Sequence, residues 1–408
     1  MLIERITNAQ ISNSAGLVTL ELEAGRVHKV RAAPPGQVST TFAHKLTLDA
    51  GGRVVAPAFV DAHVHLDKAF LSELAGPTEP RLERAIERVA ELRRQVSFQQ
   101  LSRNAERAIE LLIKNGVCAA RVHVELDPLV GLSLADMQLE LAEKSSGRIK
   151  IELVAFPQRG FDVPGVKELM TAAMPRLDVV GGCPYVDSDP TQHLDFVFGL
   201  AEKQGKAVDL HLDFSDDANR SLLALVAERT RAHGMQGKVT IGHVTTLASM
   251  SKAEQERAFA QLAAAQISLV VLPATDLFLA GHGEPGTRSL APIERARAAG
   301  VRVAIANNNL HNPFAPFGNG NLLQAAWLAG LLRRVADRDG QALLIDAISH
   351  QPARILGLPP HGPVPGAFAD LVLLDLDRSA EIATGAPPVL ATLHRAALSH
   401  LLQAPHLS

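Results

Sequence analysis

The chain has 408 residues, 47% of them apolar and 20% charged, with a net charge of -3. That composition is ordinary for a folded soluble chain and gives no electrostatic ground for nucleic acid or an anionic membrane as a partner. The opening MLIERITNAQ lacks a signal-peptide core, and no later stretch is long and charge-free enough to span a bilayer. A cytoplasmic protein is therefore expected; assembly into a homo-oligomer is left open. Two cysteines, Cys118 and Cys183, lie in apolar runs and read as buried thiols rather than a disulfide framework or a thiolate zinc site.

The first segment, AQISNSAGLVTLELEAGRVHKVRA, alternates apolar and polar residues between Gly turns, as small antiparallel strands do. From residue 54 the pattern changes to short β-type runs alternating with longer helical ones. The strands are VVAPAFVDAHVHL, CAARVHVEL, KIELVAFPQ, DVVGGCPYV, KAVDLHLDF, KVTIGHVTT, ISLVVLPATD and VRVAIANNN. Stretches such as PRLERAIERVAELRRQ, HLDFVFGLAEKQ, DDANRSLLALVAERTRAH and GNLLQAAWLAGLLRRVADR carry apolar residues at three- and four-residue intervals and predict helices. Eight strands with helices between them are the count of an α/β fold of the (β/α)8 TIM-barrel type. An open doubly wound sheet would show a glycine-rich turn after its first strand, where this chain has HVHLDK. Near residue 366, GAFADLVLLDLD returns to strand character. Residues 1–55 and 361–408 are thus expected to form one small flanking β-domain, and residues 56–360 the barrel.

Chemistry in such a barrel sits at the C-terminal ends of the strands. Strand one ends in His63 and His65, whose two-residue spacing puts both rings on one face. Strand five ends in His211 and strand six in His243. Four imidazoles from three strands then converge on one mouth, which points to a metal site rather than to packing. His123 and Glu125, on one face of strand two, could line the pocket, pack or form its rim; Lys68 is expected in a surface ion pair, and His282 on a loop over the site.

VVAPAFVDAHVHLDKAF resembles the first-strand motif of the amidohydrolase superfamily, in its cytosine deaminase-like branch. The likeness continues through RVHVELD, IELVAFPQRG, DVVGGCPY, VDLHLDFSDD, TIGHVTT, NPFAPFGNGNLLQAAWLAG and HQPARILGLP. It implies a hydrolase cutting a non-peptide C–N bond in a small cyclic nitrogenous compound. It also implies His63, His65 and His211 as ligands of one divalent metal, Zn2+ or Fe2+, since strand four lacks the lysine that bridges two ions. By the same resemblance His243 orients and polarises the attacking water, and Gln158 reads the ring amide of a pyrimidine, a carboxamide offering donor and acceptor together.

Two positions depart from the family pattern. Phe214 stands where a Glu shuttles protons to the ring, and Asn308 where an Asp binds the metal and takes a proton from water; neighbouring carboxylates align with Asn309 and Asn312. An amide has no useful basicity, so the metal is expected to be held less tightly, or absent. Asp213 is the carboxylate assigned to supply the missing proton, with Asp67, Asp216 and Asp217 nearby; the last two start the next helix, where acids commonly cap. Phe214 and Asn309 would shape the substrate pocket. Asn307 to Asn309 also read as a turn satisfying its own backbone. Cytosine itself is not implied. A degenerate barrel that binds a ligand without turnover, or a metal-free lyase or isomerase using His243 and Asp213, are the alternatives.

Overall fold

A computed structural model of the chain describes all residues except 13, 34–45, 75, 77, 78, 282–289 and 403–408. His282 lies outside the described residues. In chain order, Arg5–Ala9 (β1), Val18–Glu23 (β2), Arg26–Ala32 (β3) and Thr47–Asp49 (β4) form one four-stranded sheet. Val54–Pro57 (β5) follows. The barrel strands are Phe59–Val64 (β6), Val117–Glu125 (β7), Lys150–Phe156 (β8), Val179–Gly182 (β9), Ala207–Leu212 (β10), Val239–His243 (β11), Ser268–Val271 (β12) and Val303–Ile305 (β13). Leu371–Leu374 (β14), Val389–His394 (β15) and Ala397–Leu401 (β16) complete a second four-stranded sheet with β5. The two flanking sheets share one apolar cluster that includes Ile6, Leu20, Val27, Leu48, Val55, Leu371 and Leu393.

The barrel strands are nearly all buried, as expected when helices cover the outside and side chains fill the inside. The run VVAPAFVDAHVHL is not one strand. Pro57 lacks an amide hydrogen and ends β5, which pairs with β14; the barrel strand begins two residues later. Two other segments differ from expectation for physical reasons. The helix expected from Asp216 starts at Leu223, because the Asp213 carboxylate accepts from Ser221 Oγ and Leu222 N and pins the chain ahead of it. The strand-seven run stops at Val271, and Pro273 opens a helix, Pro273–Leu279, that carries Asp276 inward.

The barrel closes between its first and last strands at the mouth. Asn308 N–H donates to His63 O at 2.8 Å, and Asn308 O accepts from His65 N–H at 2.7 Å. Just below, the fully buried Asp61 accepts from Asn307 Nδ2 at 2.7 Å, and burial pushes its carboxyl up to about 6 against the pull of that bond. Among the described residues, no helix is long and apolar enough to cross a membrane.

Candidate metal centre

Strand periodicity places polar side chains in layers inside the barrel. The lower layer holds Asp61, Arg121, Asp209 and Thr240. Arg121 is buried and donates to Asp209 at 2.8 Å, Glu152 at 2.6 Å and Thr240 Oγ1 at 3.1 Å. Two residues further along three strands come His63, His123 and His211. His123 Nε2 lies 3.2 Å from Asp209, and its ring stacks on His63 at 3.8 Å. Arg121 and Asp209 belong to this support and escaped the sequence reading, although Asp-x-His at 61/63 and 209/211 and Arg-x-His at 121/123 repeat with strand spacing.

Above that layer, His211 Nε2 lies 3.1 Å from His63 Nε2 and 3.1 Å from His65 Nε2. One hydrogen bond can satisfy only one of those contacts. A cation at the usual zinc–nitrogen length has neighbouring ligand nitrogens about 3.3 Å apart in a tetrahedron, and these two of the three spacings approach that value. Burial holds all three rings well below the ordinary histidine range, with nearby positive groups adding to it, so they stand as neutral imidazoles able to donate lone pairs. Asn308 Oδ1 is buried without a hydrogen-bond partner beside them. These residues fit a divalent cation. His63, His123 and His211 also bring one ligand-capable atom each within 4.8 Å of one another. His123 turns its Nε2 to Asp209, but its Nδ1 is buried without a hydrogen-bond partner, so its ring is an alternative third member to His65.

His243 joins the group, its ring 5.3 Å from His211 and 5.9 Å from His63. Its Nδ1 sits 2.6 Å from Asp276 Oδ1, a partner that sequence reasoning missed. The available signal was one acid inside the apolar run LPATDLFL. Phe214 sets its ring edge-on to His243 at 5.0 Å. Asp213 is not brought to the imidazoles through its carboxylate: that group also accepts from Thr246 Oγ1 at 3.2 Å, and burial pushes it up to about 6. Asp216 accepts from Gly281 N–H, and Asp217 caps the short turn Ala218–Arg220. Asn309 accepts from Asn312 Nδ2 at 2.8 Å, and Asn312 in turn accepts from Phe314 N–H, so the end of the amide run satisfies its own turn.

Beside the centre opens a cavity of about 650 Å³ lined by Arg93, Glu125, Asp127, Gln158 and Phe314 among others. Lys68, expected at the surface, is buried at its edge and donates to Gln158 Oε1 at 2.9 Å and Glu125 Oε2 at 3.1 Å. Its acceptors lie far along the sequence, Glu125 at the end of β7 and Gln158 in the turn after β8, so no local pattern marks them. An ammonium only donates, so the Gln158 atom beside it is the oxygen, and the carboxamide is left with its NH2 as donor. Glu125 would be raised by burial, but Arg93 and Lys68 outweigh that and hold it down at about 2. Lys68 also lies 5.7 Å from the Phe156 ring, which stacks on His211 at 4.0 Å, linking cavity to imidazoles.

Residues 95–395 match the family model described as "Amidohydrolase family". N-isopropylammelide isopropyl amidohydrolase of Pseudomonas sp. (strain ADP) is 25% identical over 386 residues, 91% of this chain and 90% of that one. Pterin deaminase of Rhizobium rhizogenes is 27% identical over 336 residues, 80% of this chain and 76% of that one. The crystal structure of 5-methylcytosine deaminase from Klebsiella pneumoniae, liganded with phosphonocytosine, superposes with a TM-score of 0.90 at 27% identity, covering 98% of this chain and 99% of that chain.

Proposed function

The chain belongs to the amidohydrolase family, and from that footing we propose that it hydrolyses a non-peptide C–N bond of a small cyclic nitrogenous compound at one divalent cation, Zn2+ or Fe2+, held by His63, His65 and His211. The observation that carries this reading is the convergence of three neutral imidazole nitrogens, His211 Nε2 standing 3.1 Å from each of the other two. A divalent cation there would supply Lewis acidity and lower the pKa of the attacking water.

The chain's own groups do the rest. His243 faces the same space and serves as the base for water. Gln158, its oxygen held by Lys68, offers its NH2 to an acceptor on the substrate ring. Phe214 gives an apolar wall beside His243 and carries no proton. Asn308, whose backbone bonds those of His63 and His65, has a buried side-chain oxygen that carries no charge. Relatives act, by their names, on N-isopropylammelide, pterin and 5-methylcytosine, and compounds of that kind form the first substrate panel.

The test compares zinc- or iron-loaded protein with chelated protein on N-isopropylammelide, 5-methylcytosine, cytosine and pterin, following release of isopropylamine or ammonia. Turnover that disappears with chelator and returns with metal supports the reading. Metal-loaded protein that binds a panel member without releasing amine would instead support the ligand-binding barrel suggested by Phe214 and Asn308.

A further inference from the structure

Of the imidazoles at the centre, His243 differs in how its inner nitrogen is held. The Nδ1 atoms of His63, His65 and His211 have no hydrogen-bond partner, whereas His243 Nδ1 lies 2.6 Å from the fully buried Asp276. Asp276 is fixed in its turn: Oδ2 accepts from Leu272 N–H at 3.2 Å at the start of the helix Pro273–Leu279. A carboxylate in this position accepts, so the proton between the two groups belongs to Nδ1. Nε2 is then bare, and among the described residues no hydrogen bond engages it. By the resemblance to the family a carboxylate would stand on strand eight where this chain has Asn308, an amide that cannot take a proton from water.

Resting on the reading above, we propose that Asp276 is the positioning residue that makes His243 the general base, taking over the proton-handling role that Asn308 cannot fill. His243 Nε2 accepts one proton from water as the oxygen bonds to the ring carbon. The imidazolium so formed is stabilised by Asp276, which keeps its carboxylate. The same proton passes to the leaving nitrogen as the C–N bond breaks, and the product keeps the other water proton as a hydroxyl or its tautomer. No further reactant is needed. The arrangement follows the logic of a carboxylate holding a catalytic histidine in one tautomer.

The test is Asp276→Asn in the metal-loaded protein. Leu272 N–H requires an acceptor, so the asparagine oxygen is retained there and its NH2 turns to His243 Nδ1. That forces the imidazole proton onto Nε2. In 15N-histidine spectra, with His243→Gln identifying the signals, wild type should show the proton on Nδ1 and Asp276→Asn should show it on Nε2. Turnover of the panel compound should fall about 10³–10⁴-fold in kcat, with KM within about threefold. Metal content should be unchanged. A wild-type ring protonated on Nε2 overturns the proposal, and needs no variant to fold. So does a variant whose proton has moved but whose kcat falls less than about fivefold. Failure of the metal reading shows separately, as protein that retains no cation whichever tautomer is found.

Discussion

Arg121→Met tests whether the buried network beneath the histidines is an energetic unit. The guanidinium is 2% exposed, reaches Asp209 and Glu152 at 2.8 and 2.6 Å, and also bonds Thr240. Methionine fills much of the volume but leaves Asp209, fully buried, without its countercharge. Breaking one side of such a pair costs about 3–5 kcal/mol. A chain of 408 residues unfolds with an entropy of about 0.9 kcal/mol/K, so the melting temperature should fall by about 4–6 °C. Burial already raises the Asp209 carboxyl, with Arg121 as its largest opposing influence. Without Arg121 it rises further, so the folded variant binds a proton that the unfolded chain does not. Stability from a raised carboxyl is present at low pH and lost as pH rises through the folded value. The deficit relative to wild type should therefore be larger at pH 8 than at pH 5. The double variant Arg121→Met/Asp209→Leu should recover at least about 2 kcal/mol over the sum of the singles. Calorimetric melts at both pH values measure all three numbers. A deficit under 1 °C, or one that grows toward low pH, refutes the reasoning.

Three further outcomes follow from the structure. Burial lowers His361, partly offset by its bond to Ala58 O at 2.9 Å, so the unfolded chain binds more protons below about pH 6.5. Stability should fall as pH drops from there, by up to about 1.4 kcal/mol per unit from this ring, and the slope of melting temperature with pH should be shallower in His361→Gln; equal slopes contradict this. Asn308→Asp, placing a carboxylate where an amide oxygen is buried without a partner, should slow cation loss to a chelator at least about tenfold, and unchanged loss would place Asn308 away from the ion. Gly116→Ala should cost about 1–3 kcal/mol in a denaturant titration, since φ is +88° and the new Cβ would meet Val372 at 2.8 Å and Phe59 at 2.9 Å.

The barrel was legible because each strand is a short apolar run bounded by helices with a clear apolar face, and a period of two marks which residues share a side. That pattern places His63, His65, His211 and His243 at one end of the barrel. What sequence spacing could not carry was contact across the barrel. Arg121 and Asp209 lie 88 residues apart, and a buried ion pair between strands leaves no local pattern. Lys68 reads as a surface residue because charged side chains usually are; its burial depends on Glu125 at the end of β7 and Gln158 in the turn after β8. Asp276 was read into the end of a strand, when Pro273 in fact opens a helix that turns it toward His243. The amide run divides its work: Asn307 bonds Asp61, Asn308 closes the seam through its backbone, and Asn309 supports the following turn.

The most direct measurement is the metal content and anomalous diffraction of protein purified with added zinc, for wild type and His211→Gln. The wild-type chain should hold about one ion, within bonding distance of Nε2 of His63, His65 and His211, and the variant should lose it. Wild-type protein that retains no ion, or a variant that keeps its full complement, would contradict this.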